Sequence, residues 1–425
     1  MILGLFAAAI QWLWKRSGLL ILLILILVLV EADGSPPAAL STGVERMIAD
    51  LQFHFWSWEV DAVRGKFTHW LLQPQRYMED PDRNAFVRDY MERIGQIQGL
   101  RWQIETIYAD PAVDDPGADT AEMRERLGQL LDQAQSRQPI AEAIIEEQVG
   151  FVLVQEGLGL LGQPFPPVGV RFTPLPCMLV VSPRDRIATV YNHTLVHGLN
   201  AAQQEAVEGE IDERFDVSSL VTHIGGLSAW PAMLLESSYL PWVQEVAAHE
   251  WTHHYLEMFP LGWAYEQHEA RTINETTASI VGYAVGRTVL ARYYPDLLPP
   301  EVEPSPSAPP PEPPDPPPFD FRLEMRETRV EVDRLLAEGA IDEAETYMEM
   351  RRQFFWENGY QIRKLNQAYF AFHGSYADEP GAAGEDPIGP AVRQLWDQSP
   401  SLRAFLSRIN GVTTLAQLQA ALEQE

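Results

Sequence analysis

The sequence predicts a predominantly helical α+β protein carrying a small mixed sheet. Three observations predict it. Long stretches place apolar residues three and four apart, the period of a helix packed on one face. Residues 165–240 break into short β-branched runs separated by Pro and Gly, the pattern of strands and turns. An apolar run near the N-terminus reads as a membrane helix ahead of the rest. With 425 residues, 46% of them hydrophobic and 10% aromatic, the chain can bury a sizeable core.

The N-terminal element comes first. Residues 19–30, LLILLILILVLV, are apolar without interruption, with Lys15 and Arg16 before them and Glu31 and Asp33 after. Basic residues stay cytoplasmic, so the chain is expected to leave the membrane with its C-terminal side outward. A single-pass signal anchor is the preferred reading. A cleaved signal peptide, with Val30-Glu31-Ala32 at the cleavage site, is the rival. Either way residues 1–32 export the rest. The expected location is a membrane with an extracytoplasmic domain, or secretion if the segment is cleaved. Residues 33–43, which include GSPPAALSTG, are a spacer.

A helical region is expected over residues 44–160. ERMIADLQFHFWSWEVDAVRGKFTHWLL and DRNAFVRDYMERIGQIQGLRWQIETIY carry the helical period. DTAEMRERLGQLLDQAQ opens on the capping residues Asp119 and Thr120, and IAEAIIEEQVGFVLVQEGL gives a fourth helix. The aromatic stripe Phe53, Phe55, Trp56, Trp58 is read as core or helix contact.

Residues 161–298 form the next expected region, a sheet followed by paired helices. GVRFTPLP, CMLVVSP, ATVYNHTLVHGL and SSLVTHIGGLSAW are strand segments, with the helix AAQQEAVEGEIDERF between them. Two helices follow, VQEVAAHEWTHHYLEMF and EARTINETTASIVGYAVGRTVLARYY, joined by PLGWAYEQH. Twelve of residues 299–318 are proline, which allows neither helix nor central strand and predicts an extended low-complexity loop. Residues 319–425 are helical again, apart from a loop at HGSYADEPGAAGEDPIGPAV.

Composition narrows the function. A net charge of −29 argues against a nucleic-acid partner, because phosphate contacts need clustered Lys and Arg. The single cysteine, Cys177, excludes intramolecular disulfides and cysteine-rich zinc sites. Its setting in LPCMLVV reads as a buried strand thiol. The sequence leaves the oligomeric state open.

The chemistry is concentrated in VAAHEWTHHYLE, residues 246–257. On a helix, residues four apart differ by about 40° around the axis and residues five apart by about 140°. His249 and His253 therefore share a face and can both offer a ring nitrogen to one Zn²⁺, whereas His254 points elsewhere. Its place is read as the surface or a helix contact. Glu250 lies between the pair in H-E-x-x-H, placed to take a proton from water activated by the metal. A catalytic zinc takes three protein ligands and keeps one position open. No third histidine follows in the metzincin register. The carboxylates that can complete the set are Glu257, Glu266, Glu269 and Glu275.

VAAHEWTHHY followed by INETTASIVGY resembles the gluzincin metallopeptidases, with H-E-x-x-H on one helix and N-E-x-x-(A/S) about twenty residues later on the next. The resemblance covers residues 246–283 and, loosely, the strands before them. It implies zincin active-site helices, zinc ligands His249, His253 and Glu275, and Glu250 as general base, acting on a peptide or protein substrate. Where thermolysin-like members have an aspartate four residues after the zinc glutamate, this chain has Ser279. Asn274 is expected to support the Glu275 backbone or to meet substrate. Such enzymes lay substrate along an edge strand before the metal helix. HIGGLSAWPAMLLE supplies it here, with Gly225, Gly226, Leu227 and Ser228 as substrate contacts and Pro231 fitting an edge. The aminopeptidase signature G-x-M-E-N is absent. Tyr369, His373 and Tyr376 in NQAYFAFHGSYADEPG are the candidate oxyanion donors. The alternative is a catalytically inactive zinc-binding protein of the same fold, acting as a membrane-tethered interaction or assembly factor.

Overall fold

A computed structural model describes residues 39–109, 112–298, 319–377 and 381–423. The expected membrane segment, the start of the spacer and the Pro-rich stretch lie outside these residues. Among the described residues, no helix is long and apolar enough to cross a membrane. The chain divides into two compact units, Met1–Asp50 and Leu51–Glu425. In the first, helix α1 (Ala39–Met47) begins inside the expected spacer. Ala39 and Leu40 are strong helix formers, and Gly43 does not stop the run.

The second unit is predominantly helical with small sheets. Helix α2 (Phe55–Leu72) is followed by α3 (Asp80–Ala109) and α4 (Ala121–Gln155). The sequence reads α4 as two helices, yet it runs unbroken through Pro139. An interior proline costs about 3 kcal/mol. Burial of Leu130, Ala134, Ala141, Ile144 and Ile145 on both sides of it offsets that cost. The aromatic stripe also departs from expectation. Trp58 is half-buried, its Nε1 donating to Thr173 Oγ1 at 3.3 Å, but Trp56 is 79% exposed and belongs to no core.

Among the described residues the expected single sheet is three. A hairpin pairs β1 (Gly159–Leu160) with β2 (Gln163–Pro164). Strand β3 (Val170–Phe172) is followed by β4 (Cys177–Pro183) and β5 (Tyr191–Leu195). Helix α5 (Ala201–Phe215), closed by an Asn200 capping box, leads into β6 (Val217–His223). One antiparallel sheet has the order β5-β4-β6, with Cys177 fully buried at its start. Strands β7 (Gly226–Leu227) and β8 (Ala232–Leu234) complete the other, ordered β3-β8-β7. Strand β8 is parallel to β3 and antiparallel to β7, which makes β7 an edge. Pro231 lies in the connection between β7 and β8, not on the edge itself.

Helices α6 (Leu240–Leu256) and α7 (His268–Tyr293) pack along each other through the main core. Two glycines allow the close approach. A Cβ on Gly282 would lie 2.8 Å from the Glu245 carbonyl oxygen, and one on Gly286 would lie 3.1 Å from Glu245 Cα. Only glycine lets the two backbones come this near without a shift.

The C-terminal part is made of several helices, as expected for a helical region interrupted by a loop. Helices α8 (Phe321–Ala337) and α9 (Ile341–Glu357) form a hairpin around Met325, Val332, Met348 and Phe355. Helix α10 (Gln367–His373), capped by Asn366, packs on β4 and β6 through Ala368 and Ala371. Helices α11 (Ile388–Asp397), α12 (Leu402–Ile409) and α13 (Leu415–Leu422) join the core around α7.

Candidate metal centre

Helix α6 presents His249 and His253 on one face, and the close crossing of α7 brings Glu275 to them. The two Nε2 atoms are 3.1 Å apart, and Glu275 Oε2 lies 3.5 Å from each. One donor atom from each residue falls within 4.8 Å of the others, so the three can hold a metal ion.

The donor chemistry fits a cation. An amide oxygen only accepts, so His253 Nδ1–H donates to Asn274 Oδ1 at 2.7 Å. That leaves the His253 Nε2 lone pair facing the other donors. Glu275 Oε2 is buried and has no hydrogen-bond partner, an arrangement that is costly unless a positive charge meets it. Its other oxygen, Oε1, accepts from the Tyr265 hydroxyl. Burial opposes charge on Glu275, but when no cation is held and the rings are protonated, His253 and His249 together outweigh it and hold the carboxyl well below its usual range.

Glu250 is buried beside the three. Burial is the largest influence on it and raises its pKa; the two histidines pull it down and Glu275 pushes it up. It packs against edge strand β7, where a Cβ on Gly226 would lie 2.7 Å from Glu250 Cδ. The glycine is what allows Glu250 to occupy its position. Leu227 continues the strand, Gly225 accepts from the Leu235 backbone N–H at 3.2 Å, and Ser228 follows with a buried hydroxyl that lacks a partner.

Of the three expected oxyanion donors, Tyr376 reaches the centre. Its ring stacks on His249 with centroids 6.3 Å apart. Burial of its hydroxyl, then the charges of Glu275 and Glu250, hold its pKa well above normal. Tyr369 and His373 meet each other instead, with ring centroids 4.3 Å apart, and line a separate cavity with Arg363 and Lys364. The residue that bonds His253 is Asn274, not Ser279. His254 is buried rather than on the surface, and burial lowers its pKa to about 4. Glu257 is exposed, one turn beyond the triad.

Tyr265 is the residue that sequence reasoning missed. It sits in the turn between α6 and α7, its ring edge-on to His253 at 6.1 Å and under the Arg271 guanidinium. Its only signal in the sequence was its position ten residues before Glu275 in the connection PLGWAYEQH.

No family model, curated protein or solved structure matches this chain.

Proposed function

We propose that the protein is a zinc-dependent metallopeptidase of the gluzincin type, held at a membrane by residues 19–30 with its catalytic residues on the outer side. The observation that carries this reading is the convergence of His249, His253 and Glu275 with the buried Glu250 beside a free strand edge. Two imidazoles and one carboxylate are a donor set suited to zinc with a position left open.

When bound, zinc supplies Lewis acidity, lowering the pKa of water and polarising the substrate carbonyl. The chain's own residues do the rest. The peptide lies along the free edge of β7, where Gly225 and Gly226 permit close approach. Glu250 takes a proton from the attacking water as its oxygen bonds to the carbonyl carbon. Tyr376 donates to the negative charge that develops on the carbonyl oxygen, while Tyr265 keeps its hydroxyl on Glu275 Oε1. The C–N bond then breaks, and Glu250 passes the proton to the leaving nitrogen.

The test pairs metal analysis with cleavage. Purified full-length protein should carry one zinc per chain, and Glu275→Ala should lose it. A broad peptide library should be cut by the wild type and not by Glu250→Gln. Stoichiometric zinc with no cleavage by either protein would sink the peptidase reading and favour a metal-binding assembly factor.

A further inference from the structure

A cavity of about 580 Å³ is formed by the end of strand β6, the first turn of α5, residues 361–364 and helix α10. Its wall is rich in hydrogen-bond donors. Arg363, Lys364, His223, Tyr369 and His373 line it, and no Asp or Glu is among its lining residues. With 60 acidic residues in the chain against 31 Lys and Arg, a wall without a carboxylate runs against the composition. Glu208 and Asp212 hold the two cations from outside the lining. Arg363 makes a two-pronged pair with Glu208, and Lys364 Nζ lies 2.9 Å from Asp212 Oδ2. The Tyr369 hydroxyl and the His373 ring have no hydrogen-bond partner among the described residues. Helix α5 adds its positive end, with no acidic residue in its first turn.

Two segments join the cavity to the metal centre. His223 closes β6, and Gly226, which faces Glu250, comes three residues later, at most about 11 Å of extended chain. At the end of α10 the Tyr376 backbone N–H donates to the His373 carbonyl at 3.3 Å. Ring contacts run the same way without a gap. Tyr369 meets His373 with centroids 4.3 Å apart, His373 meets Phe372 at 5.0 Å, Phe372 meets Tyr376 at 5.9 Å, and Tyr376 stacks on His249 at 6.3 Å.

We propose that this cavity is a substrate subsite for a carboxylate, so that the protein selects peptides with an acidic side chain or a free C-terminus within about three residues of the bond it cuts. The proposal rests on the peptidase reading and names its substrate class. A peptide along β7, beside Glu250, reaches the cavity by running on toward His223. Lys364 Nζ, the Tyr369 O–H and a His373 N–H are the donors to the carboxylate. A carboxylate only accepts, so a wall of donors suits it, whereas a substrate ammonium finds no partner there.

The test measures binding apart from cleavage. Short random peptide pools, with Glu or Gln fixed at one position and the C-terminus free or amidated, are captured on zinc-loaded Glu250→Gln protein and counted by mass spectrometry. Glu should be enriched over Gln, or the free terminus over the amide, by about 10-fold. The first result assigns the carboxylate to a side chain, the second to the terminus. Adding Lys364→Gln or His373→Gln should remove the enrichment in protein that melts as the parent does. Cleavage of the same pools by the wild type should show the same preference in kcat/KM. No enrichment in any pool overturns the subsite, and unselective cleavage beside it leaves the peptidase reading standing. Enrichment that survives both added variants places the carboxylate on the metal or elsewhere and also overturns the subsite. Enrichment that both variants remove, with no cleavage by the wild type, keeps the carboxylate site and sinks the peptidase reading.

Discussion

His253 and Asn274 meet across the α6–α7 crossing, Nδ1–H donating to Oδ1 at 2.7 Å. The bond fixes the tautomer and the ring plane of one residue of the group that can hold a metal ion, and the next residue on α7, Glu275, supplies another. Partners of this kind are worth about 10–100-fold in metal affinity. Asn274→Ala should therefore weaken metal binding by about that factor in a competitive chelator titration, while Ser279→Ala leaves it unchanged. Equal losses in the two variants would mean that the bond does not orient the ligand.

Gly226 faces Glu250 so closely that any side chain collides with the carboxylate. Gly226→Ala should displace Glu250 and abolish peptide cleavage without releasing the metal. Cleavage and metal content measured on the same sample decide it. Retained cleavage would show that Glu250 is not held by this contact.

The pairing of His249 with His253 was legible because helix geometry alone decides it. Glu275 was one of four candidate carboxylates, and only the resemblance of the paired motifs to the gluzincins singled it out. Tyr265 was not, because a turn residue carries no period that would aim it at Glu275. Asn274 was visible as a motif residue, but its target depends on how α7 crosses α6, and Gly282 and Gly286 set that crossing. The single expected sheet became three because short strands do not declare their partners. Pro139 hid the continuity of α4, since tertiary burial overrode a local helix breaker.

Gly282 and Gly286 should therefore matter for both stability and the metal. Gly282→Ala places a methyl against the Glu245 carbonyl and the His249 Cβ, and overpacking of this kind costs about 1–3 kcal/mol. Thermal melting should show that loss, with weaker metal binding beside it. Gly99, within α3, has open space where a Cβ would go. Gly99→Ala should instead raise stability by about 0.5–1 kcal/mol.

Tyr265 and Tyr376 separate ligand support from oxyanion support. Tyr376→Phe should lower kcat by about 100-fold with metal content unchanged, as for loss of one oxyanion donor. Tyr265→Phe removes the hydroxyl bonded to Glu275 Oε1, so metal affinity should fall along with kcat. A Tyr376→Phe enzyme with full kcat would remove that residue from the mechanism.

His373 sets an acid response away from the metal. Burial lowers its pKa from 6.5 to about 4 in the folded chain. The unfolded state therefore binds the proton more readily, so the neutral ring contributes stability that is present above pH 6.5 and lost as pH falls through about 4. At pH 5 the loss relative to neutral pH should be about 2 kcal/mol. Denaturant unfolding from pH 7 to pH 5 should show it in the wild type on top of a like loss from His254, whose pKa burial also lowers to about 4, and His373→Phe should remove the His373 share and leave the His254 share. An unchanged slope in the variant would place the acid sensitivity on another group.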